Sequence, residues 1–445
     1  MRSPVDLRSR ELWARALLLR TFSQNRPFLY LLAAVAWVWR LLLFRTTFVA
    51  ITGSLGKTTA KECLATILAS RFPTARSYAN RNSGIGVCLA VLSVRPWHRF
   101  AVFELSGAAP DNLRRAVQLV RPHMGLLLNV LRTHTTTFPT LEDHAAEKRR
   151  LLEALPRGAI AFLNGEDPLV AAMADWPDLD VRLFGSSSRF DVWADEVSSR
   201  WPATLRFRAH VGTEVETVET QLIGTHWTPS VLAALAAACA CGMTLRDAAR
   251  AASRVDPFPA RLQPVPLPSG AVVLRDDYNA SIDTLDAACQ VLRDAEARRR
   301  LVVVQDFSDF GKNRKNRLRH LAEEAARSAE VALFIGENAA YGRRRAIAAG
   351  LGPQDVHEFP TLKQATDFLR AELGDGDLVL LKGRTTDHAA RVLLGQLYDV
   401  RCWKVYCRKT MLCEHCWELR DRSGETGKRR SATADAPGVR IIRPR

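Results

Sequence analysis

The chain has 445 residues, of which 47% are hydrophobic and 25% charged, and this composition excludes both a disordered polymer and a single small core. The formal net charge is +16 at pH 7. Residues 1–47 hold eight arginines and two acids, and residues 399–445 hold twelve basic and six acidic residues, so each end has a net charge of +6. Such ends suit an anionic membrane or an acidic protein partner, or they are simply solvated, and we expect no nucleic acid partner.

The first predicted element is an apolar segment at 28–44, FLYLLAAVAWVWRLLLF, interrupted only by Arg40. It is shorter than the roughly 20 residues that span a bilayer, but its arginine-rich flanks and two tryptophans suit a helix in a membrane interface. A buried helix packed on the first domain explains the same residues. Neither a signal peptide nor a disulfide framework is visible. We therefore expect a cytoplasmic protein and leave membrane-surface contact by this segment open.

A phosphate-binding loop follows. The β-branched run at 46–52 leads into Gly53-Ser54-Leu55-Gly56-Lys57-Thr58-Thr59 and then into residues at helical spacing. Strand, glycine-rich loop and helix in this order direct backbone N–H groups and the positive end of the helix at a phosphate. We expect Lys57 to reach the terminal phosphates of ATP and Thr58 to bind Mg²⁺. The nucleotide-binding residues predicted here are Gly53, Ser54, Gly56, Lys57, Thr58 and Thr59.

The remaining pattern alternates strands and helices and predicts an α/β fold with a mainly parallel sheet. Short alternating runs at 181–222 predict a small antiparallel patch. A second α/β unit begins near Val255, after which a proline-rich stretch at 257–268 predicts a hinge region. We expect a central ATP-binding domain followed by a smaller Rossmann-like domain. The predicted divisions are an N-terminal helical segment at 1–45, these two domains at 46–255 and 256–398, and a Cys-rich basic tail at 399–445.

Further polar motifs follow the loop in order: Asn80-Arg81-Asn82, Phe103-Glu104, Asn129 to His134, Glu147-Lys148, Asn164 to Asp167, Arg261, Asp276 to Asn279, and Lys382-Gly383-Arg384. With the loop itself, they resemble the motifs of the Mur ligase superfamily. Within that superfamily the sequence is most similar to the D-alanyl-D-alanine-adding ligases, and it is also similar to the poly-γ-glutamate synthetases. The resemblance covers roughly residues 48–395.

The resemblance implies an ATP-dependent, ADP-forming ligase that joins a carboxylate to an amine through an acyl phosphate, with ATP and Mg²⁺ as cofactors. The Mg²⁺ ligands that it implies are Thr58, Glu104, His134 and Lys148, the last as a carbamate. The catalytic residues that it implies are Lys57, Lys148, His134 and Arg261. Further nucleotide contacts are expected from Asn164, Asp276 and Tyr278, and substrate contacts from Asn80, Asn82 and Lys382.

Two departures from the family pattern bear on function. Only about 45 residues precede the first predicted strand, so we expect no N-terminal UDP-sugar domain and a carboxylate such as an amino acid, a peptide or a polyglutamate-like chain. The adenine-binding His-Asn-x-x-Asn motif is replaced by His226-Trp227-Thr228-Pro229-Ser230. This loss favours an alternative, a catalytically reduced ATP-binding regulatory or scaffold protein of the same fold. A phosphotransferase is a third hypothesis.

The tail carries four cysteines within fifteen residues, Cys402, Cys407, Cys413 and Cys416. Four thiolates can bind a tetrahedral structural Zn²⁺, and the C-x-x-C half has the usual spacing. The first half is loosely spaced, so reduced thiols or a thiol–disulfide pair explain the same residues. We expect a zinc module or a docking site for a protein partner, outside the catalytic machinery.

Overall fold

The computed structural model describes residues 26–78, 82–132, 137–280, 282–305, 314–404, 407, 409 and 411–419. These residues divide into two compact units. The first unit contains 26–199 and 204–258, and the second contains 200–203 and the described residues from 259 onward. Each unit is built on one sheet. The predicted α/β class, with a mainly parallel sheet and a second α/β unit, is confirmed.

The sheet of the first unit has the strand order β2-β3-β1-β4-β5-β6-β7-β8-β9. Neighbouring strands from β2 to β7 pair in parallel, and β8 and β9 extend the same sheet as an antiparallel meander. The strands are β1 Thr47–Thr52, β2 Thr74–Arg76, β3 Phe100–Glu104, β4 Met124–Leu127, β5 Ile160–Asn164, β6 Asp180–Gly185, β7 Val192–Ser198, β8 Arg206–Val211 and β9 Glu214–Glu219.

Helices cover both faces of this sheet, which is why the four central residues of β1, Phe48 to Ile51, are all apolar. Val49 and Ile51 face a core shared with α2 and α7, whereas Phe48 and Ala50 face a second core shared with α1, α3 and α4. The helices are α1 Arg26–Leu42, α2 Lys57–Ala69, α3 Ile85–Ser93, α4 Asn112–Val120, α5 Leu141–Glu153, α6 Pro168–Ala171, α7 Thr228–Ala240 and α8 Leu245–Ala252. Among the described helices, none combines the length and the hydropathy needed to cross a bilayer.

The sheet of the second unit has the order β10-β11-β15-β12-β13-β14, parallel except for β10. Its strands are β10 Gln263–Pro266, β11 Val272–Asp276, β12 Arg299–Gln305, β13 Val331–Ile335, β14 Val356–Phe359 and β15 Asp377–Lys382. Its helices are α9 Ile282–Asp294, α10 Arg314–Ser328, α11 Ala339–Ala348, α12 Leu362–Glu372 and α13 Ala390–Leu397. The proline-rich stretch thus contains an edge strand, where proline is tolerated because one side of the strand needs no ladder partner.

Candidate active site

The glycine-rich loop between β1 and α2 folds around the side chain of Lys57. The Lys57 ammonium donates to the carbonyl oxygens of Gly53 and Ser54, at 2.7 and 2.8 Å. Gly56 caps the helix with φ +80°, and a Cβ there would come within 2.5 Å of the Ser230 hydroxyl. The loop therefore requires glycine for its left-handed backbone and for its close approach to α7.

Asn129, just beyond β4, fixes the phosphate loop through hydrogen bonds to its backbone. Its Oδ1 accepts from the backbone N–H groups of Ser54 and Leu55, at 2.9 and 2.8 Å. The Ser54 hydroxyl in turn accepts from the N–H of Leu131 at 2.9 Å. The sequence showed Asn129 only as part of a family-like stretch, and its bonds to the loop depend on β1 and β4 being neighbours in the sheet.

Glu104, the last residue of β3, lies beside the start of α2. Its carboxylate accepts from the Thr58 hydroxyl at 2.8 Å and from the Asn82 amide at 2.7 Å, and its side chain is buried. A hydroxyl and a carboxylate side by side next to a phosphate loop are the oxygen ligands that Mg²⁺ prefers. Asn82, predicted to bind substrate, is placed here against Glu104. Thr59, predicted to bind nucleotide, is the buried third residue of α2.

Lys148 on α5 is almost completely buried, with 2% of its surface exposed. Burial lowers the pKa of this ammonium well below its usual value, and the positive charge of Lys57 lowers it further, while Glu147 acts in the opposite direction. The Nζ atom lies close to Gly107, where an added Cβ would come within 3.1 Å of it. Glu147 itself accepts from the N–H groups of Asp111 and Leu113, at 3.1 and 2.7 Å, and so fixes the start of α4.

Three further residues of the first unit were predicted to belong to the site, and the structure describes one of them. His134 and Asn80 lie outside the described residues. Asn164 is described: its amide donates to the carbonyl of Leu128 at 2.8 Å and its Oδ1 accepts from the N–H of Glu166 at 3.0 Å. In this arrangement Asn164 supports the chain that leads into Asn129.

The predicted residues of the second unit lie where β11 and β15 end side by side. Asp276 pairs with Lys382, which also donates to the carbonyl of Thr284 at 3.2 Å. Lys382 is fully buried, so its ammonium serves as the counter-ion of Asp276. The Arg261 guanidinium stacks over the Tyr278 ring, 4.7 Å from the ring centroid.

A second buried ionic cluster in this unit ties the tail to β11. Arg275 bonds to Asp277 at 2.7 Å and to Glu414 at 2.6 Å. Burial raises the pKa of the Asp277 carboxyl despite the guanidinium beside it. Burial acts to raise the pKa of Glu414 as well, but Arg275 outweighs it and holds that pKa below its usual value.

The zinc prediction is not supported. The four tail cysteines, Cys402, Cys407, Cys413 and Cys416, line one small cavity of about 10 Å³, yet no set of three or more His, Cys, Asp or Glu side chains in the described part of the chain is arranged to hold a metal ion. Other side chains contact the sulfurs: His388 Nδ1 lies 3.2 Å from the Cys413 sulfur, and the Lys409 ammonium lies 3.4 Å from the Cys416 sulfur. Burial also raises the pKa of the Cys413 thiol to about 11, which favours a neutral thiol.

Comparison with known families gives two matches that follow one another along the chain. The Mur ligase middle domain matches residues 51–238, and the Mur ligase glutamate ligase domain matches residues 260–385. The first match contains the phosphate loop, Glu104 and Lys148, and the second contains Arg261, Asp276 and Lys382.

Individual proteins agree with these matches. The UDP-N-acetylmuramoyl-tripeptide–D-alanyl-D-alanine ligase of Mycobacterium bovis is 27% identical over 379 residues, covering 81% of this chain and 74% of that protein. The crystal structure of MurF from Acinetobacter baumannii aligns with a TM-score of 0.77 at 23% identity, covering 83% of this chain and 80% of that one. MurF from Thermotoga maritima, solved with ADP, gives a TM-score of 0.72 at 21% identity, covering 83% of each chain. The two structural alignments establish the same fold.

Proposed function

The chain belongs to the Mur ligase superfamily of ATP-dependent ligases, and we propose that it joins a carboxylate to an amine through an acyl phosphate and releases ADP. One observation carries the proposal. The Thr58 hydroxyl and the Glu104 carboxylate lie 2.8 Å apart behind the phosphate loop, with Lys148 buried nearby. The loop can bind a nucleotide, Thr58 and Glu104 can bind a divalent cation, and Lys148, as a carbamate, can supply one more anionic metal ligand. A protein that only binds ATP would not need this last ligand.

ATP and Mg²⁺ are the cofactors of this family, and the residues of the first unit fit both. A side chain on Gly56 would meet Ser230, so glycine lets the loop backbone lie close to α7, and a loop of this kind presents backbone N–H groups to a phosphate. Thr58 and Glu104 would hold Mg²⁺, which when bound neutralises charge on the phosphoryl group in transfer. Lys57 would add positive charge at the terminal phosphates.

The proposed reaction has two steps. A carboxylate oxygen attacks the γ-phosphorus of ATP, the bond to ADP breaks, and an acyl phosphate forms. The amine nitrogen then attacks the acyl carbon and loses a proton, and inorganic phosphate leaves with the original carboxylate oxygen. In the first step charge builds on the phosphoryl oxygens, and Lys57 would stabilise it by exchanging its bonds to the carbonyls of Gly53 and Ser54 for bonds to the phosphate.

Lys148 contributes as a carbamate in this proposal. CO₂ adds to the neutral amine and a proton leaves, which converts a cation that cannot bind metal into an anion that can. The lowered pKa of Lys148 supports this step because it increases the neutral fraction. We propose that this carbamate and His134, which lies outside the described residues, would hold a second Mg²⁺, distinct from the one at Thr58 and Glu104.

In the second unit we propose Arg261, Asp276 and Tyr278 as nucleotide contacts. The stacking of Arg261 on Tyr278 supports this proposal, because it places a cation that can bind phosphate beside an aromatic ring that can contact a base or ribose. Lys382 is also proposed to contact the substrate. Its pairing with Asp276 argues against this role, because the ammonium already has an anionic partner. Asn80 stays a proposed substrate contact of the first unit.

For the carboxylate we propose an amino acid, a peptide or a polyglutamate-like chain. The names of the relatives favour a UDP-N-acetylmuramoyl-tripeptide instead, so the experiment must offer both. Purified protein is given ATP and Mg²⁺ with UDP-N-acetylmuramoyl-tripeptide and D-alanyl-D-alanine, and separately with panels of amino acids, peptides and polyglutamate. Release of ADP and the mass of the amide product are measured together.

The outcomes separate the functional classes. ADP release that requires both a carboxylate and an amine, with equal amounts of amide, supports the ligase. ADP release with a phosphorylated product and no need for an amine would indicate a phosphotransferase. Nucleotide binding without turnover across the whole panel would favour the regulatory or scaffold alternative.

A further inference from the structure

Helix α1 has two faces, and both are apolar. Its inner face packs into the first unit: Ala36 is fully buried, and Leu32, Ala33 and Trp39 pack against the same core. Its outer face consists of large apolar side chains at a spacing of three to four residues. With the exposed fraction of each, they are Tyr30 (74%), Leu31 (63%), Val35 (48%), Trp37 (46%), Val38 (51%), Leu41 (38%) and Leu42 (59%).

The inner face holds the helix firmly in place. Arg40 donates to the carbonyls of Val120 and Arg121, at 2.6 and 2.7 Å, and its guanidinium lies 3.9 Å from the centroid of the Phe48 ring. The Trp39 indole donates to the carbonyl of Val94 at 2.9 Å. A helix fixed by buried polar bonds cannot rotate to hide its outer face, so the apolar stripe is a stable surface of this unit. A stripe of this kind on a charged protein marks a contact with an apolar phase or partner.

More aromatic and basic residues lie next to the end of α1. Phe44 is 77% exposed, and the Arg45 guanidinium lies 5.7 Å from its ring centroid. The Thr46 hydroxyl donates to the carbonyl of His98 at 2.8 Å, so the loop that carries Trp97, itself 69% exposed, adjoins this segment. Exposed tryptophan, tyrosine and arginine together are typical of side chains at the boundary between lipid headgroups and acyl chains.

The charge of this part of the chain selects the partner. Residues 12–103 contain twelve basic residues and a single acid, Glu62. Lys57 and Lys61 lie on α2, at the other face of the sheet, and Arg40 is buried. The exposed Arg45 and Arg95, however, adjoin α1, the latter next to Val94, which accepts from Trp39. Glu62 already pairs with Lys61 and Arg76. Residues 1–11 of the sequence hold Arg2, Arg8 and Arg10 together with Asp6 and Glu11, a further net charge of +1. An apolar stripe within such a region complements a surface that is apolar inside and anionic outside.

We propose that α1 docks the protein on an anionic membrane, lying in the plane of the interface with Leu31, Val38 and their neighbours among the acyl chains and the surrounding arginines at the headgroups. A helix of 17 residues is about 25 Å long, which suits a helix lying along the surface. Docking would hold the catalytic unit next to the bilayer without burying the phosphate loop, because α1 packs against the sheet face opposite that of α2.

The test is sedimentation of the full-length protein with vesicles, either of phosphatidylcholine alone or of equal parts phosphatidylglycerol and phosphatidylcholine. We expect binding to the anionic vesicles, weaker binding to the neutral ones, and a loss of the difference at high salt. The double variant Leu31→Glu/Val38→Glu should bind at least about 10-fold more weakly. Its thermal unfolding should be unchanged because both side chains are exposed. Val215→Glu, which adds charge at an exposed valine of β9, is the matched control and should bind as the native chain does.

Three results would overturn the proposal. The first is the absence of binding to anionic vesicles by folded native protein. The second is equal vesicle binding by the native chain and the double variant. The third is a native dimer in light scattering that the double variant dissociates, without vesicle binding, since a second copy of the chain would then cover α1.

Discussion

Both units place buried charges where their parallel strands end, but they neutralise them differently. In the second unit Lys382 pairs with Asp276, and Arg275 pairs with Asp277 and Glu414. In the first unit Glu104 accepts from a hydroxyl and an amide. Among the residues that the structure describes, neither Glu104 nor Lys148 forms a salt bridge.

This contrast indicates which unit performs the chemistry. A buried charge without an ionic partner is costly and persists where a ligand completes it. Glu104 meets that description, and Lys148 is a buried amine whose pKa is lowered by burial and by Lys57 of the phosphate loop. The paired charges of the second unit complete one another and hold the ends of β11 and β15 together. Substitution of Glu104 or Lys148 should therefore change turnover, and removal of Lys382 or Arg275 should change stability.

The largest effect on turnover is expected from Lys57→Ala. Loss of one fixed cation at the phosphates should lower kcat on the order of 100- to 1000-fold, while the melting temperature stays close to that of the native protein. ADP release and circular dichroism measure the two quantities. Lys363→Ala, at an exposed lysine of α12, is the control and should be fully active. More than a tenth of native activity in Lys57→Ala would contradict the role given to this lysine.

The largest effect on stability is expected from Lys382→Met. Removal of one partner from a buried ion pair leaves Asp276 uncompensated and should lower the free energy of unfolding by about 3 to 5 kcal/mol. Lys363→Met breaks an exposed lysine–aspartate pair and should cost less than about 1 kcal/mol. Urea unfolding compares the two variants. If both variants are equally stable and only Lys382→Met has a raised KM for the carboxylate, Lys382 binds substrate and does not serve mainly as a structural counter-ion.

Lys148→Ala should lower activity by about 100-fold, because a metal ligand is lost. Acetate or propionate should restore part of it by supplying a carboxylate in the space that the side chain leaves. Assays in chloride at equal ionic strength control for salt. The same acids should not rescue Lys57→Ala, because a carboxylate cannot replace a cation there. If no short carboxylate restores any activity to Lys148→Ala, the carbamate loses its main support.

The smallest effect is expected from Asn82→Ala. Glu104 would lose one of its two side-chain donors, and we expect the Mg²⁺ concentration for half-maximal activity to rise by about 10-fold. The KM for the carboxylate should change little. A large rise in that KM at unchanged Mg²⁺ dependence would show that Asn82 binds substrate directly, as the sequence predicted.

The sequence predicted the parts of the site that are local in the chain. The loop from Gly53 to Thr59 is recognisable because strand, glycines and helix follow one another directly. The family was also predicted correctly, from the order of the polar motifs after the loop, and the α/β class from β-branched runs that alternate with helical spacing. The edge strand β10 was not predicted, because its two prolines read as a hinge when the neighbouring strand is unknown.

The roles that depend on distant contacts were less accessible. Asn82 and Glu104 are 22 residues apart in sequence, and the pairing of β2 with β3 brings the ends of the two segments together. Asn129 supports a loop more than 70 residues away. The cysteine spacing suggested zinc, but spacing does not show that His388 and Lys409 contact the same sulfurs.

The central claim is that a carboxylate oxygen attacks ATP to form an acyl phosphate at the first unit. It is tested most directly by labelling the carboxylate of the accepted substrate with ¹⁸O and analysing the inorganic phosphate after turnover with the amine. The account predicts one ¹⁸O atom in each phosphate, equal in amount to the amide formed, because the oxygen that attacks phosphorus leaves with it. Phosphate without label, released at the same rate, would show that water and not the carboxylate attacks ATP, and would contradict the account.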